Sequence, residues 1–266
     1  MYNELMEPTI SIPVDLYNPG QFFACCGLLE LAHRLAFHEK DARQPAGWFE
    51  KTNKIPSRFL IQAINNGVPV DIPQLIKPLK ECEISTTNED SKEGPVLLGE
   101  PFNLTIDLRP PFPQNSLVKT FAGQQNILKI VEALQNALPE TCDNALLNYR
   151  GTVDKSVTAF SVERAEDSID AGFSMDVHKD RLFREPPVIL EFLALIGTQR
   201  FCPQKGRNRL SRLYYAWRDP LPAPLAAIAA SQYMAAVSAQ GFKFQMYKRD
   251  PDGRYKGFAP SKSLTL

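Results

Sequence analysis

The order of hydrophobic and polar positions predicts that the chain opens with a strand followed by a helix. Residues 9–16 (TISIPVDL) alternate apolar side chains with others, which is typical of a strand. Asn18 and Pro19 follow, and both residue types are favoured where a helix begins. Residues 21–38 are apolar on almost every side, so we expect a helix at the centre of the core.

Later segments carry similar patterns. Residues 102–108 (FNLTIDL) alternate as a half-buried strand does, and residues 59–64 fit either a strand or a helix. The remaining predicted elements are an amphipathic helix over 124–138, an apolar helix over 188–196, an aromatic strand over 213–217, an Ala-rich helix within 220–239, and a hairpin of residues 242–248 and 254–258. Because these elements interleave irregularly, we expect an α+β fold. We expect one compact domain over residues 1–266, which can divide into two lobes near residue 145.

The composition excludes several classes of protein. Hydrophobic residues make up 44% and charged residues 23% of the 266 positions, which excludes global disorder. The longest apolar-rich stretch is interrupted by Glu30, His33 and Arg34, so no membrane span is expected. Residues 1–13 lack the basic start and apolar core of a secretory signal. Five cysteines without CxxC spacing argue against disulfides and zinc, so we expect a cytoplasmic protein.

Charge is distributed unevenly along the chain. Lys+Arg and Asp+Glu both number 30, which gives a formal net charge of zero. Residues 199–266, however, hold 12 basic and 3 acidic side chains, a net of +9. A local excess of this kind can attract a polyanion even when the whole protein is neutral.

The chain is poor in enzyme signatures. It has no phosphate-binding loop, no dinucleotide fingerprint, no HExxH and no GxSxG, so no cofactor and no metal are expected. Its three histidines are His33, His38 and His178. A metal-independent ribonuclease needs only a suitable side chain near a ribose 2′-OH, and any of the three can be its base. Asp167, Asp170 and Asp176 are more typical of an acidic loop than of a metal site.

The strongest chemical signal is a basic and aromatic stretch, residues 199–218 (QRFCPQKGRNRLSRLYYAWR). Arginine forks onto phosphate oxygens, and aromatic rings offer faces to unpaired bases. The stretch therefore predicts nucleic-acid contacts by Arg200, Lys205, Arg207, Arg209, Arg212, Tyr214 and Trp217. The alternative is a solvated basic surface whose aromatic side chains point into the core.

Two further segments extend this prediction. Residues 117–125 (LVKTFAGQQ) precede a predicted helix, and a helix N-terminus favours anions. Lys119, Gln124 and Gln125 are therefore candidate nucleic-acid ligands, with ordinary helix capping as the alternative. The C-terminal hairpin adds basic residues that can extend the surface: Lys243, Lys248, Arg249, Arg254 and Lys256.

Several blocks of the sequence resemble a known family. They are IPVDLYNPGQFFACCGLLELAHRL at 12–35, LVKTFAGQQ at 117–125, GFS at 172–174, PPVILEFLALIGTQRFCP at 186–203 and YYAWRDPLPAPLA at 214–226. Together they resemble the small subunits of type I-G (formerly I-U) CRISPR–Cas systems, the third subunit of the b-series, also described as a divergent large-subunit-like component of Cascade.

The resemblance implies a non-catalytic subunit that acts in antiviral defence. Such a protein would join other CRISPR effector subunits around guide RNA and help to bind target DNA, while base pairing reads the sequence. Ferredoxin-like elements and a large-subunit fragment are both compatible with it. Two alternatives from other classes stay open: a metal-independent CRISPR-RNA endoribonuclease, and a protein–protein scaffold that does not contact nucleic acid.

Overall fold

In a computed structural model of the protein, helices alternate with antiparallel sheets. The residues it describes are 7–39, 43–50, 56–87, 95–107, 127–152, 187–208, 210–248 and 256–264. They form a mixed α+β fold, as the interleaved patterns predict. Within these ranges, no helix combines the length and the apolar character that crossing a membrane requires.

The first sheet is built from the N-terminal strands. Its members are β1 (Ile10–Val14), β2 (Arg43–Glu50), β3 (Ser57–Asn65) and β4 (Val68–Pro69). The order is β1-β3-β2, β4 pairs with β3, and all pairs are antiparallel. The ambiguous segment 59–64 is therefore a strand. β2 was not predicted, because its sequence is mixed and polar at both ends.

Two apolar helices cross at the centre of the molecule. They are α1 (Pro19–His38) and α4 (Val188–Arg200). The predicted start of α1 is confirmed, since the Asn18 side chain accepts a hydrogen bond from the Gln21 N–H at 3.2 Å. Both helices are buried around most of their circumference, and for this reason both sequences are apolar on nearly every side.

The crossing depends on one glycine from each helix. A Cβ atom added to Gly27 would lie 1.9 Å from the Leu193 carbonyl oxygen, and one added to Gly197 would lie 2.1 Å from the Phe23 carbonyl oxygen. The two backbones are thus in direct contact, and no larger residue fits at either position without moving a helix.

Smaller elements surround this pair. They are α2 (Ile72–Glu81), α3 (Ile127–Asn136), α5 (Ala223–Ser231), a 3₁₀ turn (Leu146–Asn148), and a sheet of β5 (Ile84–Thr86), β6 (Val96–Leu98) and β7 (Leu104–Ile106). The alternation predicted for 102–108 is confirmed through Asp107, with Phe102, Leu104 and Ile106 buried. The segment from 150 to 181 lies outside the described residues except for its first three positions.

The C-terminal half contributes a second large sheet, called the C-terminal sheet below. Its strands are β8 (Gln204–Lys205), β9 (Ser211–Trp217), β10 (Ser238–Lys248), β11 (Lys256–Phe258) and β12 (Lys262–Ser263). The order is β11-β10-β9-β8, and β12 also pairs with β10. The predicted C-terminal hairpin is confirmed by the antiparallel pairing of β10 with β11.

Aromatic contacts join the C-terminal sheet to α1 and to the first sheet. The Phe22 ring lies 4.3 Å from that of Tyr214 and 6.1 Å from that of Trp217, measured between centroids. The Tyr214 hydroxyl donates to the Leu16 carbonyl at 2.7 Å, and the Trp217 Nε1–H donates to the Gly47 carbonyl at 2.6 Å. A division into lobes near residue 145 stays a prediction.

Replacing Gly27 by alanine tests the helix crossing. Alanine normally stabilises a helix by about 1 kcal/mol relative to glycine. Here we expect Gly27→Ala to lower the free energy of unfolding by about 1–3 kcal/mol, because the new methyl group overlaps the Leu193 carbonyl. Urea unfolding followed by circular dichroism measures the change. A more stable variant would contradict the close approach, because only the gain in helix propensity would then remain.

Candidate nucleic-acid interface

The structure separates the predicted contact residues into three groups. Lys119, Gln124, Gln125 and Arg209 lie outside the described residues. Arg200, Lys205 and Arg207 are at least partly exposed, whereas Arg212, Tyr214 and Trp217 are buried. Of the described candidates, Arg200, Lys205 and Arg207 have the access to solvent that direct phosphate contact requires.

Lys205 and Arg207 lie at the β8–β9 connection. The Gly206 N–H donates to the Ser211 carbonyl at 2.9 Å, which draws the two ends of the connection together. The Asn208 side chain accepts hydrogen bonds from the N–H groups of Leu210 and Ser211, at 3.1 and 2.7 Å. This local turn chemistry fixes the backbone, so the cations project from a defined hairpin end.

Every lysine and arginine in the strands of the C-terminal sheet lies directly across from another one. The pairs are Lys205 with Arg212, Lys243 with Lys262, and Lys248 with Lys256. These five strands contain no aspartate or glutamate. Like charges directly opposite each other destabilise a sheet, and this applies to the partly exposed Lys243 and the exposed Lys262.

Tyr214 and Trp217 are core residues. Both are 0% exposed, and the Tyr214 ring stacks on Phe242 at 5.2 Å. Burial raises the pKa of the Tyr214 hydroxyl. The surface role predicted for these two rings is therefore not met. Tyr214 packs against Phe22 from the inward side of β9, and Trp217, at the end of the strand, contacts Phe22 and stacks on Phe201.

Arg212 also differs from its predicted role. Its side chain lies on the same side of β9 as Tyr214, and the residue is only 4% exposed. One guanidinium N–H donates to the Ser211 carbonyl at 2.9 Å, and burial lowers the pKa of the guanidinium. Arg212 can add positive potential near Lys205, but its burial leaves it little direct access to a ligand.

Arg200 belongs to an ion triad that the sequence did not reveal. Glu30 of α1 is 1% exposed and accepts hydrogen bonds from Arg200 of α4 and from Arg34, the latter at 2.7 Å. Arg34 also donates to the Asn103 carbonyl at 3.2 Å. One carboxylate between two guanidiniums leaves a net charge of +1. Arg200 therefore fastens the C-terminal end of α4 to the middle of α1 as well as contributing positive charge.

The enzyme alternative has limited support in the described residues. His33 is half-buried beside the triad, and burial, the largest effect, lowers the pKa of its imidazole. Burial therefore favours the neutral imidazole that a general base needs. His38 lies exposed at the C-terminal end of α1, and His178 lies outside the described residues. Within the described ranges, no three His, Cys, Asp or Glu side chains cluster as a metal site would need.

The five cysteines are all free. Cys25, Cys26 and Cys82 are buried, as expected for the two in α1. Burial raises the pKa of Cys82 and of Cys142 to about 11 each, so both are thiols at neutral pH. They pack as small apolar groups and offer no nucleophile.

Charge reversal at Lys262 tests the cross-strand repulsion. We expect Lys262→Glu to raise the free energy of unfolding by about 0.2–1 kcal/mol at low salt, since the pair with Lys243 becomes attractive. Thermal unfolding at two salt concentrations measures the effect. Lys77→Glu is the matched control with the opposite expected sign, because it loses its contact with Glu81 at 4.0 Å. A Lys262→Glu variant that is less stable would contradict the prediction.

Removing the Glu30 carboxylate tests the triad. We expect Glu30→Met to cost about 2 kcal/mol, because two adjacent guanidiniums are left without their anion and remain partly exposed. The triple variant Glu30→Met, Arg34→Met and Arg200→Met should lose less stability, since no charge of the triad is then left unpaired. Denaturant unfolding compares the two. An equal loss in both would show that packing, not charge, holds the end of α4 against α1.

Comparison with protein-family models, with curated proteins and with solved structures gives no match.

Proposed function

We propose that this chain is a nucleic-acid-binding, non-catalytic subunit of a type I CRISPR surveillance complex. It would contact guide RNA, target DNA or both, as the resemblance to type I-G small subunits implies. The observation that carries the proposal is the accessible positive charge of the C-terminal sheet: Lys243 lies directly across from Lys262, and Lys205 and Arg207 are exposed at the β8–β9 connection. The Lys243–Lys262 pair costs stability in the free protein, and a polyanion would convert that cost into binding energy.

A phosphodiester backbone suits this charge distribution. The described residues from 199 onward contain nine basic side chains and one acidic one, Asp219. Such a surface has no carboxylate within its strands to repel phosphates. Phosphate contacts position a protein on nucleic acid without reading its sequence, which suits a subunit whose guide does the reading.

The chain also has an exposed apolar surface, on α5 and the turn after it, to which another protein subunit could bind. Leu225 and Ile228 of α5 are 52% and 45% exposed, and Met234 is 37% exposed. No charged residue occurs from Pro220 to Phe242. An uncharged, apolar surface next to a basic sheet supports a subunit that binds a polyanion on one side and another effector subunit on the other.

The salt dependence of binding tests the basic hairpin end. The probe is a labelled single-stranded RNA of about 20 nucleotides, the length of a guide-target duplex. We expect Lys205→Ala with Arg207→Ala to weaken binding and to reduce the slope of log Kd against log salt by about 1.4, since each lost phosphate contact removes about 0.7. Fluorescence anisotropy across a salt series measures both quantities.

Lys77→Ala with Lys80→Ala is the matched control. It also removes two cations, but both lysines lie on α2 and have carboxylate partners, Glu81 and Glu140. Equal effects of the two double variants would show non-specific attraction. An unchanged slope in the Lys205/Arg207 variant would remove the hairpin end from the interface.

Purification from cells tests the complex itself. The chain would be co-expressed with its genomic neighbours, purified through its own tag, and examined by RNA sequencing and UV crosslinking. We expect uniform repeat-derived RNA with crosslinks near residues 200–217. Recovery of the chain without RNA or partner subunits would contradict the proposal. Cleavage of repeat RNA in EDTA that is lost in His33→Ala would favour the ribonuclease instead.

A further inference from the structure

One side of the C-terminal sheet, called the open face below, is turned away from the core. Along β10, Phe242, Phe244 and Met246 are buried, whereas Lys243 is partly exposed and Gln245 is exposed. Side chains two positions apart share one side of a strand, so Lys243 and Gln245 belong to the open face. An antiparallel sheet often keeps one side in contact with solvent, and that side is available for a ligand.

The open face presents two facing lysines. Lys243 lies opposite Lys262 on one side and opposite Leu213 on the other, and Leu213 in turn pairs with Gln204. Lys262 and Gln204 are exposed. The row therefore offers two cations and an amide across neighbouring strands. No acidic residue occurs between Pro220 and Arg249, so neither α5, the turn after it, nor β10 brings a carboxylate to this side.

An aromatic ring lies next to this row. Tyr215 is two residues beyond Leu213 on β9, about 7 Å along the strand, and it lies opposite Gly241. The ring of Tyr233, from the turn after α5, rests against Tyr215 with centroids 6.0 Å apart and planes inclined at 52°. Tyr215 is thereby covered to 6% exposure, whereas Tyr233 stays 49% exposed.

The turn that carries Tyr233 is held in place by hydrogen bonds. The Met234 N–H donates to the Ser238 hydroxyl at 2.9 Å, and the Ser238 N–H donates to the Met234 carbonyl at 2.8 Å. Arg218 donates to the Ala236 carbonyl at 3.0 Å. The half-exposed ring is therefore held on one side by Tyr215 and presented to solvent on the other, which limits the ordering cost when a ligand binds.

We infer that the open face binds single-stranded nucleic acid, with Lys243 and Lys262 on phosphates and Tyr233 stacked on an unpaired base. The inference rests on the proposed function and specifies its ligand. Stacking needs a base whose face is free, which an intact duplex does not offer. The aromatic platform predicted at Tyr214 and Trp217 is thus supplied by Tyr233, a residue outside the basic stretch.

Removing the Tyr233 ring tests this inference. Stacking of one base on an aromatic ring is worth about 1–3 kcal/mol, so we expect Tyr233→Ala to weaken binding of a single-stranded RNA or DNA probe about 5-fold or more. Tyr233→Phe keeps the ring and should stay within about 2-fold of the wild type. Phe37→Ala is the control, because it removes an exposed ring (86% exposed) from another element. Anisotropy measures the affinities, and circular dichroism checks that each variant is folded.

A duplex of the same sequence completes the test. We expect the duplex to bind more weakly than the single strand, and to be insensitive to Tyr233→Ala. Equal binding of both probes, or equal affinity of Tyr233→Ala and wild type for the single strand, would overturn the inference while leaving the proposed function intact. If the wild-type chain binds neither probe, and the assembled complex holds no nucleic acid, the proposed function itself would be overturned.

If Tyr233→Ala does not fold, crosslinking replaces it. The folded wild-type chain, irradiated with a bromouridine-substituted single strand, should give a crosslinked peptide that contains Tyr233. Tyr233→Phe keeps an aromatic ring at the same place, within reach of the photoreactive bromouracil, and should give the same peptide. Crosslinks confined to other peptides would overturn the inference.

Discussion

The contact between the backbones of α1 and α4 is the constraint on which the rest of the structure depends. Gly27 and Gly197 let the two helices touch, and no side chain fits between them there. Both helices are therefore buried along most of their length, which explains why their sequences are apolar on nearly every side. Beyond the crossing, an ion pair joins Arg200 at the C-terminal end of α4 to Glu30 within α1, so the helix pair is fixed at two points.

The C-terminal sheet is positioned by this helix pair. Phe22 and Phe23 of α1 project into the aromatic side of β9 and β10, where they meet Tyr214 and Phe244. Because aromatic residues take up the inward side of the sheet, much of its charge is left to the other side and to the strand ends. The same packing that stabilises the core therefore creates a basic surface.

That surface carries an energetic conflict. A sheet selected only for stability would place a carboxylate across from an exposed lysine, yet Lys243 here lies across from Lys262. Functional sites commonly keep features that reduce the stability of the free protein. Binding of a phosphate backbone removes the conflict, so charge repulsion in the free sheet and affinity for a polyanion are two consequences of one arrangement.

The sequence by itself determined the elements whose signal is local. The Asn18-Pro19 start of α1, the apolar α4 and the C-terminal hairpin follow from capping, periodicity and turn chemistry, and the α+β class follows from their order. It also located the excess of positive charge after residue 199. β2 and α2 were not predicted. Mixed polarity hides β2, and the segment that forms α2 was assigned no element.

Only the tertiary structure decided which side chains reach the surface. Neighbouring residues such as Tyr214 and Tyr215 point to opposite sides of β9, and the sequence does not say which side meets α1. The cation pairs depend on strand register, and the Glu30 triad joins residues 170 positions apart. Tyr233 reaches the open face only because the turn after α5 folds back over Tyr215. These contacts are long-range, so no pattern within a short window of sequence could reveal them.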